Sequence, residues 1–132
     1  MKSEVRFINP PSLPRPAGYT HIVAAAGGTT IFVSGQVPLD ADGSLVGDRD
    51  LRAQAMQVFR NLQAALEAVG ADFNSVVKLG FYFTDISQIA VVREVRDQFI
   101  NTANPPASTA VEVSRLFREG ILIEVDAIAV LS

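Results

Sequence analysis

Two acidic side chains lie two positions apart in the segment ILIEVDAIAV, residues 121 to 130. Side chains two apart on a β-strand point to the same face, so Glu124 and Asp126 share a face with Leu122, Ile128 and Val130. A carboxylate among apolar neighbours is desolvated and its pKa rises, which suits proton transfer or the positioning of a water molecule. The alternative is an ion pair with a Lys or Arg across the sheet or across a subunit contact.

Three further positions carry groups that a binding site uses. The tripeptide SGQ at residues 34 to 36 ends a strand, where glycine lets the backbone approach another group closely, unless it is only a bulge or turn. Tyr19 begins a strand and could present a phenol at a pocket mouth, or simply pack there. Ser108 begins another strand; a nucleophilic serine needs a base, and His21 is the only imidazole in the chain. The alternative is a hydroxyl that satisfies the local backbone.

Composition narrows the possible chemistry. The chain has 132 residues, 48% hydrophobic and 19% charged, which predicts one globular domain over 1–132. The net charge of −3 and the absence of any Lys/Arg run argue against nucleic acid as a partner. With no cysteine and one histidine, disulfides, thiolate metal sites and multi-histidine metal sites are excluded. We expect no metal.

The N-terminal segment MKSEVRFINPPSLPRP has no apolar core of the kind a signal peptide needs. No apolar stretch reaches the roughly 18 residues that a membrane span requires. We therefore expect a cytoplasmic protein with no membrane partner.

The elements that must position these residues follow the order β-β-β-α-β-α-β-β. A short strand is predicted over 5 to 7, and two apolar runs flank Gly27-Gly28, a signal for a hairpin with a primed turn. A helix is predicted over 50 to 70, a strand over 76 to 85, a second helix over 85 to 100, and strands over 108 to 113 and 121 to 130.

The first helix has the clearest pattern. An apolar stripe at helical spacing comprises Leu51, Ala55, Val58, Leu62, Ala65, Leu66 and Val69. The polar face, expected to be solvated, comprises Arg52, Gln54, Arg60, Gln63 and Glu67. The second helix is expected to bury Ile89, Val92, Phe99 and Ile100.

These elements predict an α+β fold with both helices packed on one face of a six-stranded mixed sheet. The last strand is apolar on both sides, so the face opposite the helices needs a cover as well. A second copy of the chain is the simplest cover, which predicts a homo-oligomer.

Taken together, the chain resembles the RidA/YjgF family, also known as the L-PSP endoribonucleases. The resemblance extends over nearly the whole chain and rests on PAGYTHIV (16 to 23), FVSGQVPLDADGSLVG (32 to 47), the helix with Asn61-Leu62, VVKLGFYFTD (76 to 85), PPASTAVEVSRL (105 to 116) and IEVDAIAV (123 to 130). It implies a chorismate-mutase-like fold, a homotrimer with ligand pockets in the clefts between subunits, and hydrolysis of reactive enamines and imines. It implies no metal or organic cofactor.

The resemblance also implies roles for individual residues. The water-orienting Glu corresponds to Glu124, and pocket residues correspond to Tyr19, Ser34, Gly35 and Ala110. The Arg that clamps the substrate carboxylate belongs in a P-A-R-S motif, which here reads PAST at residues 106 to 109, so Ser108 stands in its place. A hydroxyl cannot replace a bidentate guanidinium clamp, and efficient deamination of 2-aminoacrylate is not expected.

Arg93 occupies a helix position where many relatives have a pocket Asn. It could reach the cleft and supply positive charge, but the favoured alternative is a solvent-facing Arg paired with Asp97 at i,i+4. Three functions follow: a hydrolase that acts on an enamine, imine or related metabolite, a non-catalytic ligand-binding or regulatory trimer, and, less favoured because of the acidic composition and single His, an endoribonuclease.

Overall fold

The computed structural model describes residues 2–132 of the chain. Its strands and helices are β1 (Glu4–Ile8), β2 (Ile22–Ala26), β3 (Thr29–Gln36), α1 (Leu51–Glu67), β4 (Val76–Phe83), α2 (Ile89–Arg96), β5 (Ala107–Glu112) and β6 (Ile123–Leu131). Short 3₁₀ turns at Phe73–Ser75 and Ile86–Gln88 lead into β4 and α2. The α+β fold and the order of its elements are as predicted. Within residues 2–132, no helix combines the length and the apolar character needed to cross a membrane.

The six strands are divided between two sheets. A four-stranded sheet has the order β3-β6-β4-β5, in which only β4 and β5 are parallel, and β1 pairs with β2 in a separate antiparallel ribbon. Gly27 and Gly28 have the positive φ angles of 72° and 69° that the turn signal predicts. The predicted hairpin is nevertheless wrong, because the two strands that flank this turn pair with β1 and β6 rather than with each other.

Both helices cover one face of the four-stranded sheet. Alternate residues of β6, beginning with Ile123 and Val125, are buried against this helical layer, and the intervening Glu124 and Asp126 point to the opposite face. The core is formed by apolar side chains from α1, α2, β4 and β6, including Val58, Phe59, Leu62, Leu66, Leu79, Phe83, Val92 and Val95. The period-2 pattern of the last strand therefore assigns its faces correctly.

Two details of the helices differ from the sequence prediction. Gln54, expected on the solvated face of α1, is fully buried: its amide donates to the Gly47 and Gly120 carbonyls and accepts from Leu122 N. The side chain is buried because it satisfies backbone groups where the loop before α1 meets the entry to β6. Val69, expected on the buried stripe, lies beyond the end of α1 and is exposed.

The sheet face opposite the helices carries apolar groups within a polar surround. Phe32, in register with Ile128, has 77% of its surface exposed, and Val111 is also exposed. Lys78 donates to Thr109 Oγ1 at 2.7 Å on this face. A single copy of the chain thus leaves an exposed aromatic ring on a flat sheet surface.

Candidate functional site

A cavity of about 140 Å³ opens between α2, β5 and the segment before β2. Four of the residues expected to contact a ligand line it, namely Tyr19, Arg93, Ser108 and Ala110. The other lining residues are Ala17, Phe81, Ile89, Val92 and Arg96. The structure therefore brings Tyr19 and Ser108, which are 89 positions apart in the sequence, to the same cavity.

A polar clasp holds Tyr19 at this cavity. The next residue, Thr20, is buried, and its hydroxyl donates to the Pro105 carbonyl at 2.5 Å. The Thr20 amide donates to the neighbouring Pro106 carbonyl at 3.2 Å. Because these prolines immediately precede β5, the clasp fixes the phenol beside the start of that strand.

Ser108 faces the helical side of the sheet and is half-buried. It lies in register with the buried Leu79 of β4, and Ala110 lies in register with Phe81. His21, the only imidazole available to activate a serine, bonds the Pro14 carbonyl through Nε2 at 2.6 Å and is not among the residues that line the cavity. This arrangement matches a hydrogen-bonded structural histidine better than a general base.

Two arginines of α2 border the cavity, whereas the sequence reasoning named only Arg93. The proposed Arg93–Asp97 pair is wrong, because Asp97 pairs instead with Arg96 through Nη2 at 2.9 Å. The helix prediction placed Arg96 within a span of 85 to 100 that in fact ends at this residue. The side chain of Arg96 lies against Gly18, in the segment that holds Tyr19.

Glu124 and Asp126 lie on the other face of the sheet, beside Tyr82 of β4. The Tyr82 hydroxyl donates to Asp126 Oδ2 at 3.1 Å, and Tyr82 is in register with Glu124. The alternative ion pairing within the protomer is not observed: among residues 2–132 the only ion pairs within 4.0 Å are Arg52–Glu94 and Arg96–Asp97.

The environment shifts two pKa values in this acidic group. Partial burial, reinforced by the charge of Asp126, raises the pKa of Glu124 above its usual 4.5. The hydrogen bond to Asp126, together with its charge, burial and the charge of Glu124, raises the pKa of Tyr82 above 10.0. Glu124 is therefore a stronger base than an exposed carboxylate.

A β-bulge brings Gly35 against Glu124. Between Val33 and Gln36 strand β3 advances three residues while β6 advances two, so Ser34 and Gly35 form the irregularity. A Cβ on Gly35 would lie 2.7 Å from Glu124 Cδ and would overlap Oε2. The two alternatives for the SGQ tripeptide are thus both present, since the bulge creates a close approach to Glu124 that a side chain at position 35 would disturb.

The expected site residues thus form two groups on opposite faces of one sheet. Tyr19, Arg93, Ser108 and Ala110 line the cavity on the helical face, and the second group, comprising Ser34, Gly35 and Glu124, lies on the open face. Within the described part of the chain, no three His, Asp or Glu side chains are grouped so as to hold a metal ion.

Comparison with known proteins identifies the family. A family model described as Endoribonuclease L-PSP matches residues 12–131. The chain belongs to this family, the RidA/YjgF family. A RutC family protein from Pyrococcus abyssi is 38% identical over 130 residues, which cover 98% of each chain.

Two further comparisons concern function and fold. A protein of Salmonella typhimurium named 2-iminobutanoate/2-iminopropanoate deaminase is 35% identical over 105 residues, 78% of this chain and 80% of that one. The crystal structure of the Rid family protein YyfB from Yersinia pestis, described as of unknown function, superposes with a TM-score of 0.84 at 32% identity, covering 96% of this chain and 98% of that one. The RidA/YjgF fold inferred from the motifs is thus confirmed.

Proposed function

We propose that this member of the RidA/YjgF family is a cytoplasmic hydrolase of a small reactive enamine or imine. The observation that carries the proposal is Glu124, a carboxylate with a raised pKa held against the Gly35 bulge on an open sheet face. A relative 35% identical to this chain bears the name of an imine deaminase, which supports the same reaction class.

In the proposed reaction, Glu124 accepts a proton from a water molecule whose oxygen attacks the carbon of the C=N bond. A tetrahedral carbinolamine forms as the nitrogen takes up this proton from Glu124. Glu124 then transfers the hydroxyl proton of the carbinolamine to the nitrogen, and the C–N bond breaks as the carbonyl forms, so one imine and one water give one carbonyl compound and one ammonia. An enamine enters the same sequence after protonation at carbon yields the imine. The chemistry consumes no oxidant or reductant and calls on no cofactor.

The division of the site between two sheet faces supports a homotrimeric assembly in this proposal. One copy supplies the cavity with Tyr19 and Ser108, and the open face of the next copy supplies Glu124. The exposed Phe32 on that open face gives the contact an apolar centre. Each of three equivalent clefts would then contain both groups.

Ser108 argues against 2-aminoacrylate as an efficient substrate. Losing a charge-assisted clamp on a carboxylate costs on the order of 2–5 kcal/mol, or roughly 30-fold to more than 1000-fold in rate or affinity. We therefore propose a substrate other than a simple α-imino acid.

The test is a coupled deaminase assay in which 2-aminoacrylate and a panel of bulkier imines are generated in situ. We expect the wild type to accelerate the decay of one of the bulkier imines and to act weakly on 2-aminoacrylate. Glu124→Gln should abolish the acceleration, because the amide cannot accept the proton, and Ser108→Arg should raise activity on 2-aminoacrylate. Light scattering after gel filtration tests the trimer.

A non-catalytic ligand-binding trimer is the second candidate, and it is favoured by Ser108, which lines the cavity at the position where the resemblance to the family implies an Arg. This candidate predicts ligand binding without turnover. It would be favoured if the wild type hydrolysed no imine and Glu124→Gln bound the ligand as tightly as the wild type. Endoribonuclease activity, which the family name suggests, has less support because the chain is acidic and its only histidine is occupied by the Pro14 carbonyl.

A further inference from the structure

We infer that the α2 wall of the cavity is an anion subsite in which Arg96, assisted by Arg93 at the mouth, binds the carboxylate of a small ligand with an apolar body. The inference rests on the proposed function insofar as this ligand is the substrate, and it names the substrate class. It places the ligand charge on α2, on the wall opposite Ser108.

Arg96 is held in place yet not fully used. The residue is only 7% exposed. Its Nε donates a hydrogen bond to Asp97 Oδ1 at 2.9 Å, and Nη2 lies 2.9 Å from the same oxygen. Nη1 has no hydrogen-bond partner among the described residues. Because no fully buried side-chain nitrogen in residues 2–132 lacks a partner, Nη1 must border accessible space, and the cavity is the space that Arg96 lines.

Gly18 fixes the same guanidinium from the other side. A Cβ on Gly18 would lie 2.5 Å from Nη2 and 3.3 Å from Nη1, and this glycine has a φ of 78° that other residues rarely adopt. The backbone therefore packs directly on the guanidinium group. A buried, orientated arginine with a free amino group is prepared to bind a planar anion without a large entropic cost.

The charges around the cavity favour a monoanion. Arg93 is exposed, lines the cavity and forms no ion pair within 4.0 Å among the described residues. The two guanidinium groups of α2 are opposed by the single carboxylate of Asp97, which leaves a net charge of +1. Neither Glu124 nor Asp126 offsets it within the protomer, since both lie on the far face of the sheet.

The walls and the size of the cavity define the rest of the ligand. Phe81, Ile89, Val92 and Ala110 are apolar, and Ser108 offers one hydroxyl. A volume of about 140 Å³ is close to the roughly 150 Å³ of an engineered protein cavity that binds benzene. The subsite therefore fits a carboxylic acid whose body is a single ring or a branched alkyl chain.

The test measures binding apart from turnover, by calorimetry with benzoate and 3-methylbutanoate and with their neutral amides as matched controls. We expect each acid to bind the wild type at least 10-fold more tightly than its amide. Arg96→Met should remove this preference and leave amide binding unchanged, and Arg96→Lys should retain part of it. Asp97→Asn should strengthen acid binding several-fold, because it removes the competing charge while the amide oxygen can still accept from Nε and keep Arg96 orientated. Asp97 is exposed, so this variant is expected to fold.

Equal affinity for acid and amide in the wild type, or an acid preference that survives Arg96→Met, would overturn the subsite. If Arg96→Met fails to fold, Asp97→Asn decides, since unchanged or weaker acid binding there contradicts the inference. Each titration is repeated in Glu124→Gln. Acid binding that persists in this variant while the wild type hydrolyses no imine refutes the proposed function and leaves the subsite intact.

Discussion

Replacing Gly35 by Ala is the sharpest test of how the fold places Glu124. Gly35 has an ordinary φ, so the new Cβ introduces no backbone strain. It would lie 2.7 Å from Glu124 Cδ and 3.0 Å from Cγ, while ordinary contacts begin near 3.4 Å. The carboxyl carbon must therefore withdraw by about 0.7 Å, and the overlapped oxygen by more.

A displacement of this size is expected to lower the catalytic rate much more than the stability of the fold. A misplacement of about 1 Å can cost on the order of 100-fold in rate, which corresponds to about 2.7 kcal/mol of transition-state free energy. Stability should change by less than about 1 kcal/mol, because the displaced atoms belong to the end of a flexible, half-exposed side chain. The expected result for Gly35→Ala is thus a roughly 100-fold lower kcat with a nearly unchanged unfolding midpoint.

Gly80→Ala is the matched control. Gly80 also has an ordinary φ, and its Cβ would overlap Asp126 Oδ1 and lie 3.3 Å from the Tyr82 hydroxyl, with no Glu124 atom among its three nearest neighbours. Rates are compared at a pH above the acid limb, where a change in the pKa of Glu124 does not alter its ionisation. Steady-state rates on a substrate from the imine panel, with urea unfolding of both variants, complete the comparison. Full activity in Gly35→Ala, or an equal loss in both variants, would refute the argument that the bulge positions Glu124.

Three other results are expected. Activity should fall as the pH drops through the raised pKa of Glu124, above 4.5, because the acid form accepts no proton. Burial is the larger cause of this raised pKa and the charge of Asp126 the smaller; Asp126→Asn should therefore move the acid limb slightly to lower pH, and an unmoved limb would contradict the contribution of Asp126. Gln54→Ala should lower the free energy of unfolding, measured in urea, by about 2–4 kcal/mol, since three backbone groups lose a buried partner. The control Gln63→Ala, at an exposed position of the same helix, should lower it by less than about 0.5 kcal/mol. Thr20→Val should cost about 1–2 kcal/mol by the same assay, and no change would show that the clasp on the Pro105 carbonyl is dispensable.

Local patterns in the sequence predict the elements because they reflect local physics. The apolar stripe of α1, apart from Val69, and the period-2 faces of β6 appear as the sequence indicates. The hairpin prediction shows the limit. Gly27 and Gly28 do form a tight turn, but the choice of partner strand depends on β6, about 100 residues away.

Polar residues that are buried by distant partners escape sequence reasoning. Gln54 resembles any solvated helix residue until Gly120 and Leu122 come close to it. Arg96 likewise resembles a surface residue of a helix, but Gly18, 78 positions away in the sequence, packs against its guanidinium group. The motif resemblance names Tyr19, Ser108 and Glu124 as expected site residues, but no local pattern indicates that they lie on different faces of the sheet.

That separation has a thermodynamic consequence under the proposed assembly. A ligand that touches the cavity of one copy and the Glu124 face of another binds to the contact between copies, so ligand affinity and subunit affinity are linked and each strengthens the other by the same free energy. At a ligand concentration of about 100 times Kd the linkage is worth about 2.7 kcal/mol per cleft. Dilution of the protein would therefore lower its apparent affinity for the ligand. Conversely, the concentration of an abundant ligand would determine how much of the protein is assembled.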